Sequence, residues 1–210
     1  QLNPLLDPSS NLKVIFNKAK KAAKAIIEIN KQIEKVLNEI HYLNTILFQI
    51  SIANNNDLEE IKQELSLNGY LKTNIKYKKK QQKLDFLTYN VDGITIYVGK
   101  NNTQNDYLTH KLASSNDYWF HVQKLSGSHV IVRIPENNPD YEMSEKLIRT
   151  AANLAAYYST GRTSSSVPVD YTKVRYLKKV PGMKGSFVTM IGQKTIYIDP
   201  DLDLIKELTK

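Results

Sequence analysis

The chain of 210 residues contains no cysteine. This absence excludes a disulfide framework, a thiolate zinc site and a cysteine nucleophile. No apolar run approaches the roughly 18 residues that a membrane-spanning helix needs. The opening stretch QLNPLLDPSSN has neither the basic nor the apolar segment of a signal peptide, and it has no initiator Met. We therefore expect a fragment of a longer protein.

Signals for catalysis are also missing. The sequence has no Walker loop, GxGxxG, GxSxG or HExxH motif. His121 and His129 are placed to face each other across neighbouring strands, but a metal site would need further ligands, and Asp117 is the only acid nearby. Asp117 and His121 could in principle form an acid–base pair. We expect hydrogen-bonding histidines, with no enzyme activity, no metal and no cofactor.

Glycine is scarce in the first third of the chain. Only Gly69 precedes Gly93, and residues 12–53 contain neither Gly nor Pro. This change in composition predicts a helical region over residues 1–70 and a mixed domain over 85–210. Between them, we expect residues 71–84 to form a basic linker, which carries six lysines from Lys72 to Lys83 and no acid.

Apolar residues of the helical region recur at alternating spacings of three and four from Leu12 to Ile50. This pattern is the seam of a coiled coil. Asn11 is a possible N-cap of the long helix, and a second helix begins near Asp57 and ends at Gly69. That helix is too short to cover more than part of the seam, so we expect a partner: a missing upstream helix, another copy of the chain or another protein. The central seam residues are Ile26, Ile29, Ile33, Val36, Ile40, Leu43 and Leu47.

The period changes to that of strands from about residue 85. Asp92-Gly93 predicts a hairpin, DYWFHVQ and HVIVRI predict two further strands, and SEKLIRTAANLAAYYS predicts an amphipathic helix. SFVTM and TIYID predict a closing hairpin with Gly192 in its turn. The fold class is therefore α+β: a long coiled-coil helix, then a mixed domain with a mostly antiparallel sheet.

Residues 1–90 carry +5 of the net charge of +8 and residues 91–210 carry +3, but the cations of the mixed domain concentrate in residues 170–194. On a strand, Tyr171, Lys173 and Arg175 would share one face. Such a face suits phosphate neutralisation combined with base stacking. The alternative is an edge strand that lysines protect from pairing. Residues 170–194 contain, against the single acid Asp170, the cations Lys173, Arg175, Lys178, Lys179, Lys184 and Lys194.

Four segments of the mixed domain resemble the NFACT-R domain of RqcH-like ribosome quality control factors, also named fibronectin-binding protein A or PavA-type adhesins. In family order they read DGITIYVGKNNTQNDYLT, NDYWFHVQKLSGSHVIV, AANLAAYYS and VPVDYTKVRYLKKVPGMKGSFV. NPLLDPSSN and DLEEIKQELSLNGYLK resemble the coiled-coil tip and the segment before NFACT-R. The departures are mild, because Lys100 and Arg175 keep the charge of the usual residue.

The resemblance implies a module that binds tRNA and the large ribosomal subunit and supports addition of C-terminal alanine to stalled chains, with peptide transfer left to the ribosome. It implies a cytoplasmic location. Besides the cations Lys173, Arg175, Lys178, Lys179 and Lys184, it suggests Lys100, Asn101 and Asn105 as RNA contacts. Asp117, Trp119, His121 and His129 match the family signature, and we expect them to shape the domain.

The resemblance also carries an alternative: a fibronectin-binding adhesin fragment that reaches the cell surface without a signal peptide and acts in host attachment. In relatives the coiled coil is an antiparallel hairpin. The long helix would then be its returning arm, whose natural partner is the missing N-terminal part of the same protein. We expect the isolated fragment to self-associate through this helix.

Overall fold

The computed structural model describes residues 2–72, 84–138 and 141–208, so most of the predicted linker lies outside the described residues. The fold is α+β, as predicted. Its α-helices are α1 Pro8–Ile52, α2 Asn55–Leu67, α3 Asn102–Tyr107, α4 Glu145–Tyr157 and α5 Leu202–Leu208. Its strands are β1 Leu87–Val91, β2 Ile94–Val98, β3 Tyr118–Val122, β4 Val130–Val132, β5 Val167–Lys173, β6 Leu177–Lys179, β7 Val188–Met190 and β8 Lys194–Ile198.

The chain divides into two compact units, Gln1–His41 and Tyr42–Lys210. In the first unit, Asp7 rather than Asn11 caps α1: the Asp7 carboxylate accepts hydrogen bonds from the backbone N–H and the hydroxyl of Ser10. The side chain of Asn11 instead donates to the carbonyls of Asn3 and Leu6. The predicted cap was therefore wrong by four positions, because an aspartate ahead of Pro8 takes that role.

The predicted seam of α1 is exposed. In the first unit, Ile26 and Ile33 are 60% and 50% exposed, and in the second unit Leu47 is 65% exposed. The part of α1 in the second unit buries a different stripe, in which Tyr42 and Ile46 pack with Ile61 of α2. The prediction that α2 covers part of the seam was wrong, because α2 packs on a neighbouring face of the helix.

The ends of α2 follow from local hydrogen bonds. Asn54 is the N-cap, and Asp57, predicted as the cap, is the third helical residue of a capping box with Asn54. At the other end Gly69 takes φ +80°, and the N–H of Tyr70 donates to the carbonyl of Leu65 at 2.9 Å. This is a Schellman motif, which confirms Gly69 as the stop.

Six strands form one antiparallel sheet in the order β1-β2-β4-β3-β5-β8. The predicted first hairpin is confirmed, since Asp92 and Gly93 take φ angles of 50° and 83° in the turn between β1 and β2. The predicted closing hairpin is wrong. Strand β7 pairs with β6 in a separate two-stranded sheet, whereas β8 pairs with β5.

Both faces of the large sheet are covered. On one face Phe120 and Val122 of β3 pack with Ala151 and Leu154 of α4. On the other face Trp119 packs with the π-helical turn Leu108–Leu112 and with residues of β6 and β7. The apolar residues of β7 are therefore held by the Trp119 face, which explains why β7 does not fold back on β8.

A buried polar network joins α2 to the segment between β2 and α3. The ammonium of Lys100 lies 3.0 Å from the Asp57 carboxylate, and these side chains are only 8% and 1% exposed. The amide of Gln104 donates to both Asp57 and Glu60 at 2.9 Å, and the amide of Asn101 donates to Glu60 at 2.7 Å. Buried charges need such partners, so this network holds α2 in place.

We predict that Lys100→Met lowers the free energy of unfolding by about 3 kcal/mol, because it leaves the Asp57 carboxylate buried without its cation. Urea denaturation followed by circular dichroism measures the decrease. Lys146→Met is the matched control, since Lys146 pairs with Asp92 on the surface, where both side chains are about two-thirds exposed. Equal, small effects of both substitutions would contradict a structural role for Lys100.

Candidate nucleic-acid interface

A groove of about 500 Å³ lies at the end of β5 that leads into β6. Its lining combines three cations with three tyrosine rings. One carboxylate, that of Glu142, also enters it. The residues are Tyr118, Glu142, Met143, Ile148, Tyr171, Thr172, Lys173, Arg175, Tyr176, Gly192 and Lys194.

Strand register places the floor of this groove. Lys173 of β5 is the cross-strand partner of Tyr118 on β3, and Lys194 of β8 is the partner of Tyr171 on β5. Because side chains alternate along a strand, Tyr171 and Lys173 point to the same face. Asp170, the only acid of the basic stretch, points to the other face, where its carboxylate accepts a hydrogen bond from the hydroxyl of Thr195 at 2.6 Å.

Arg175 reaches the groove by another route than the one predicted. The strand pattern ends at Lys173, and Val174–Tyr176 form a turn of 3₁₀-helix. Arg175 and Lys173 therefore do not share a strand face, although both line the same groove. The tight turn brings Arg175 and Tyr176 to the rim, where both are exposed.

The cations of the groove lie against aromatic rings. The Lys173 ammonium is 5.6 Å from the ring centre of Tyr118, and the Arg175 guanidinium is 5.4 Å from that of Tyr176. Tyr171 stacks on the buried ring of Phe120 with centres 5.0 Å apart. Burial and the neighbouring Tyr171 raise the pKa of Tyr118. These contacts hold rings and charges in place for a ligand.

The other predicted cations lie outside the groove. Lys178 of β6 is exposed, Lys179 forms an ion pair with Asp106 of α3, and the Lys184 ammonium donates to the Tyr70 hydroxyl at 2.7 Å. Of the predicted basic stretch, the structure thus brings together Lys173, Arg175 and Lys194. Lys178 remains on the surface as a further positive charge.

The three RNA contacts suggested by the loop after β2 are buried instead. Lys100 belongs to the network with Asp57, Asn101 is 0% exposed, and Asn105 is 1% exposed. The Asn105 amide oxygen accepts the backbone N–H of His129 at 3.0 Å, and a Cβ on Gly99 would come within 2.2 Å of that oxygen. Their positions do not support the suggestion that these side chains contact RNA directly.

Asp117 acts as a connector between loops. Its carboxylate accepts the backbone N–H groups of Ile134 and Ser114 at 2.9 and 2.8 Å, and it lies 3.4 Å from the Arg133 guanidinium. Asp117 is fully buried, so these donors compensate the negative charge of its carboxylate. This geometry is that of a structural residue that orders the ends of β3 and β4.

Trp119, His121 and His129 form an aromatic cluster on the same side of the sheet. The two imidazoles lie 5.4 Å apart, which agrees with the predicted facing positions, and each also contacts the Trp119 ring. His129 bonds to the Thr109 hydroxyl at 2.7 Å, and burial holds its pKa well below the usual value. No group of three or more potential metal-binding side chains occurs among the described residues.

Two residues of the groove carried no signal in the sequence. Tyr118 resembled an ordinary strand residue, and Glu142 lies in an irregular segment before α4. Both enter the site only because β3 and α4 pack beside the end of β5. Lys194 belongs to the predicted basic stretch. Its position opposite Tyr171 depends on the pairing of β8 with β5, which the predicted hairpin of β7 and β8 does not include.

The arrangement suits an anionic ligand with flat rings. Ammonium and guanidinium groups neutralise phosphates, and tyrosine faces offer stacking surfaces for bases.

Within the part of the chain that the structure describes, no helix has the length and apolar character needed to cross a membrane.

Comparison with known proteins agrees with this chemistry. The sequence profile of the NFACT protein RNA binding domain matches residues 83–190, and that of the NFACT N-terminal and middle domains matches residues 1–84. The chain is 41% identical to the Rqc2 homolog RqcH of Bacillus subtilis over its full length and 38% identical to the RqcH of Streptococcus suis over 99% of it. It spans 36% and 37% of these relatives.

A solved structure shares the fold. The C-terminal part of the fibronectin/fibrinogen-binding protein from Streptococcus suis superposes with a TM-score of 0.83 at 36% identity, covering 95% of this chain and 80% of that one. The Bos taurus coiled-coil domain-containing protein 25 is 32% identical over 52% of this chain and 52% of its own length. With its RNA-binding-domain match over residues 83–190, the chain belongs to the NFACT family.

Proposed function

We propose that this chain is an RNA-binding module of a ribosome quality control factor. The groove carries the proposal, because Lys173, Arg175 and Lys194 converge there with the rings of three tyrosines. The match to the NFACT RNA binding domain and the RqcH relatives support the same role. In this proposal the module binds RNA and catalyses no reaction itself.

The RNA that suits this groove is unpaired. Stacking on tyrosine requires an exposed base face, which loops and ends of RNA provide and regular duplexes do not. In the cytoplasm such elements occur on tRNA and on the RNA of the large ribosomal subunit, and we propose these as its partners. In the intact factor this binding would support the addition of C-terminal alanine to stalled chains.

We expect the double charge reversal Lys173→Glu with Arg175→Glu to weaken tRNA binding about tenfold or more. It should also reduce the salt dependence, by about 0.7 in log–log slope for each phosphate that the variant no longer neutralises. Fluorescence anisotropy across a salt series measures both quantities. The control pair, Lys111→Glu with Lys124→Glu, changes the net charge equally on exposed residues outside the groove. Unchanged tRNA affinity in the groove variant, with its circular dichroism spectrum intact, would contradict the proposal.

A second candidate function follows from the solved relative that is named as a fibronectin/fibrinogen-binding protein. It would place the protein at the cell surface as an adhesin. The two functions make different demands on the groove. RNA binding needs its cations and rings, whereas an extended protein ligand would contact a larger surface.

Fibronectin binding by the same two variant pairs separates the candidates. If RNA binding is the function of the groove, fibronectin should bind weakly at physiological salt, and both charge-reversal pairs should affect it equally. Surface plasmon resonance on immobilised fibronectin measures this. Tight fibronectin binding that only the groove pair abolishes would favour the adhesin.

The exposed seam of α1 supports a third part of the proposal, that this helix pairs with another. A continuous apolar stripe of this kind is unfavourable in water until a partner covers it. In the intact factor the partner would be the missing N-terminal part of the same protein. In the isolated chain a second copy takes its place.

We expect the isolated chain to sediment as a dimer at high concentration and Ile29→Lys with Ile33→Lys to sediment as a monomer, because charged side chains disrupt a coiled-coil seam. Analytical ultracentrifugation measures the mass. Gln32→Lys with Asn38→Lys is the control, since it adds the same charge to exposed positions outside the seam. A strictly monomeric parent chain at high concentration would contradict self-association.

A further inference from the structure

The groove contains one group that phosphate binding does not explain. Glu142 contributes a carboxylate to a lining otherwise rich in cations. A carboxylate opposes a polyanionic ligand at short range, so it weakens purely electrostatic binding. Among the described residues, no lysine or arginine lies within ion-pair distance of Glu142, and the side chain is exposed. Its acceptor oxygens are therefore available to a ligand.

The position of Glu142 separates it from the cations along the chain and in the fold. It lies in the segment that precedes α4, beside Met143, whereas the cations come from β5, the 3₁₀ turn and β8. Met143 of the same segment and Ile148 of α4 add apolar surface to the lining. The groove thus has a basic aromatic part, supplied by the sheet and the 3₁₀ turn, and an apolar part that ends in a carboxylate.

The bases differ in what they offer to a carboxylate. An ionised carboxylate only accepts hydrogen bonds, through two oxygens side by side. Guanine has two adjacent donors on its Watson–Crick edge, N1–H and the N2 amino group, and can satisfy both oxygens at once. Adenine, cytosine and uracil each present a single donor group on this edge, next to at least one acceptor. A bidentate pair of this kind discriminates strongly between bases.

We propose that the groove is a pocket for a single unpaired guanosine nucleotide, whose base is read by Glu142. The inference rests on the proposed RNA-binding function and specifies its ligand. The base stacks on Tyr176, the most exposed ring of the groove at 47%, which the Arg175 guanidinium backs. Lys173 and Lys194 bind the adjoining phosphates.

The size of the groove agrees with this ligand. Its volume of about 500 Å³ lies within the range of pockets that enclose one small molecule, roughly 300–1,000 Å³. It admits one nucleotide and not a duplex. Since both a strand of RNA and a free guanine nucleotide carry the same chemistry, the experiment must distinguish these two sources.

The test uses the full chain and four labelled RNA hexamers: hexauridine, and the same strand with one internal guanosine, adenosine or cytidine. We expect the guanosine strand to bind about tenfold more tightly than the other three in fluorescence anisotropy. Glu142→Gln, which replaces one acceptor oxygen by a donor amide, should reduce this preference to less than about twofold while hexauridine affinity is retained. Glu136→Gln is the matched control, because Glu136 is exposed and does not line the groove.

Competition with GMP identifies the source of the nucleotide. Displacement of the guanosine strand only at GMP concentrations far above the dissociation constant of that strand assigns the pocket to RNA. Displacement by GMP, but not by UMP, near the strand's dissociation constant assigns it to the free nucleotide and overturns the RNA form of the inference.

The guanosine inference and the proposed function fail in different ways. Equal affinities for all four hexamers, or a guanosine preference that survives Glu142→Gln, would overturn the guanosine pocket. If the groove charge reversal still weakens all four hexamers, RNA binding itself stands. Absence of binding to any hexamer and to tRNA would overturn both.

Discussion

The register of β5 between β3 and β8 is the constraint on which the candidate site depends. It sets Lys173 opposite Tyr118 and Lys194 opposite Tyr171, so that two cations and two rings share one face. A slip of one residue would turn β5 over and point Asp170 into the groove instead. Burial on both faces of the sheet prevents that slip, because Val167 and Val169 would leave the core that α4 covers.

A second constraint holds the helical part of the second unit to the sheet. Lys100, Asn101 and Gln104 turn inward to the carboxylates of α2, and they do so as a connected network in which each buried charge has a partner. Cations of the same chemical type therefore have two different roles in this domain. Lys100 stabilises the fold through its buried ion pair, whereas Lys173, Arg175 and Lys194 line the groove. Which role a cation has depends on whether the fold buries it, and the number of charges in the sequence does not show that.

Local rules predicted much of the fold. The Asp92-Gly93 hairpin, the helix over 145–157 and the stop at Gly69 each depend on residues close in the chain, and all are present. The predictions failed where distant packing decides between alternatives. Gly192 predicted a hairpin between β7 and β8. Instead β7 pairs with β6, and its apolar residues pack on the face of the sheet that carries Trp119. Likewise Leu47 belongs to a regular seam, yet α2 packs on the stripe of Tyr42 and Ile46 instead.

The sequence by itself determined the fold class, the long helix with its apolar seam, the basic stretch with its tyrosines and the family resemblance, because periodicity, turn chemistry and composition are properties of neighbouring residues. Only the tertiary structure decided which of those cations meet. It buried Lys100, paired Lys179 with Asp106, and placed Glu142 in the groove that Lys173 and Arg175 also line. Side chains from separate segments acquire a common chemistry only when strand pairing and helix packing set them in one groove, and that placement depends on burial across the whole domain.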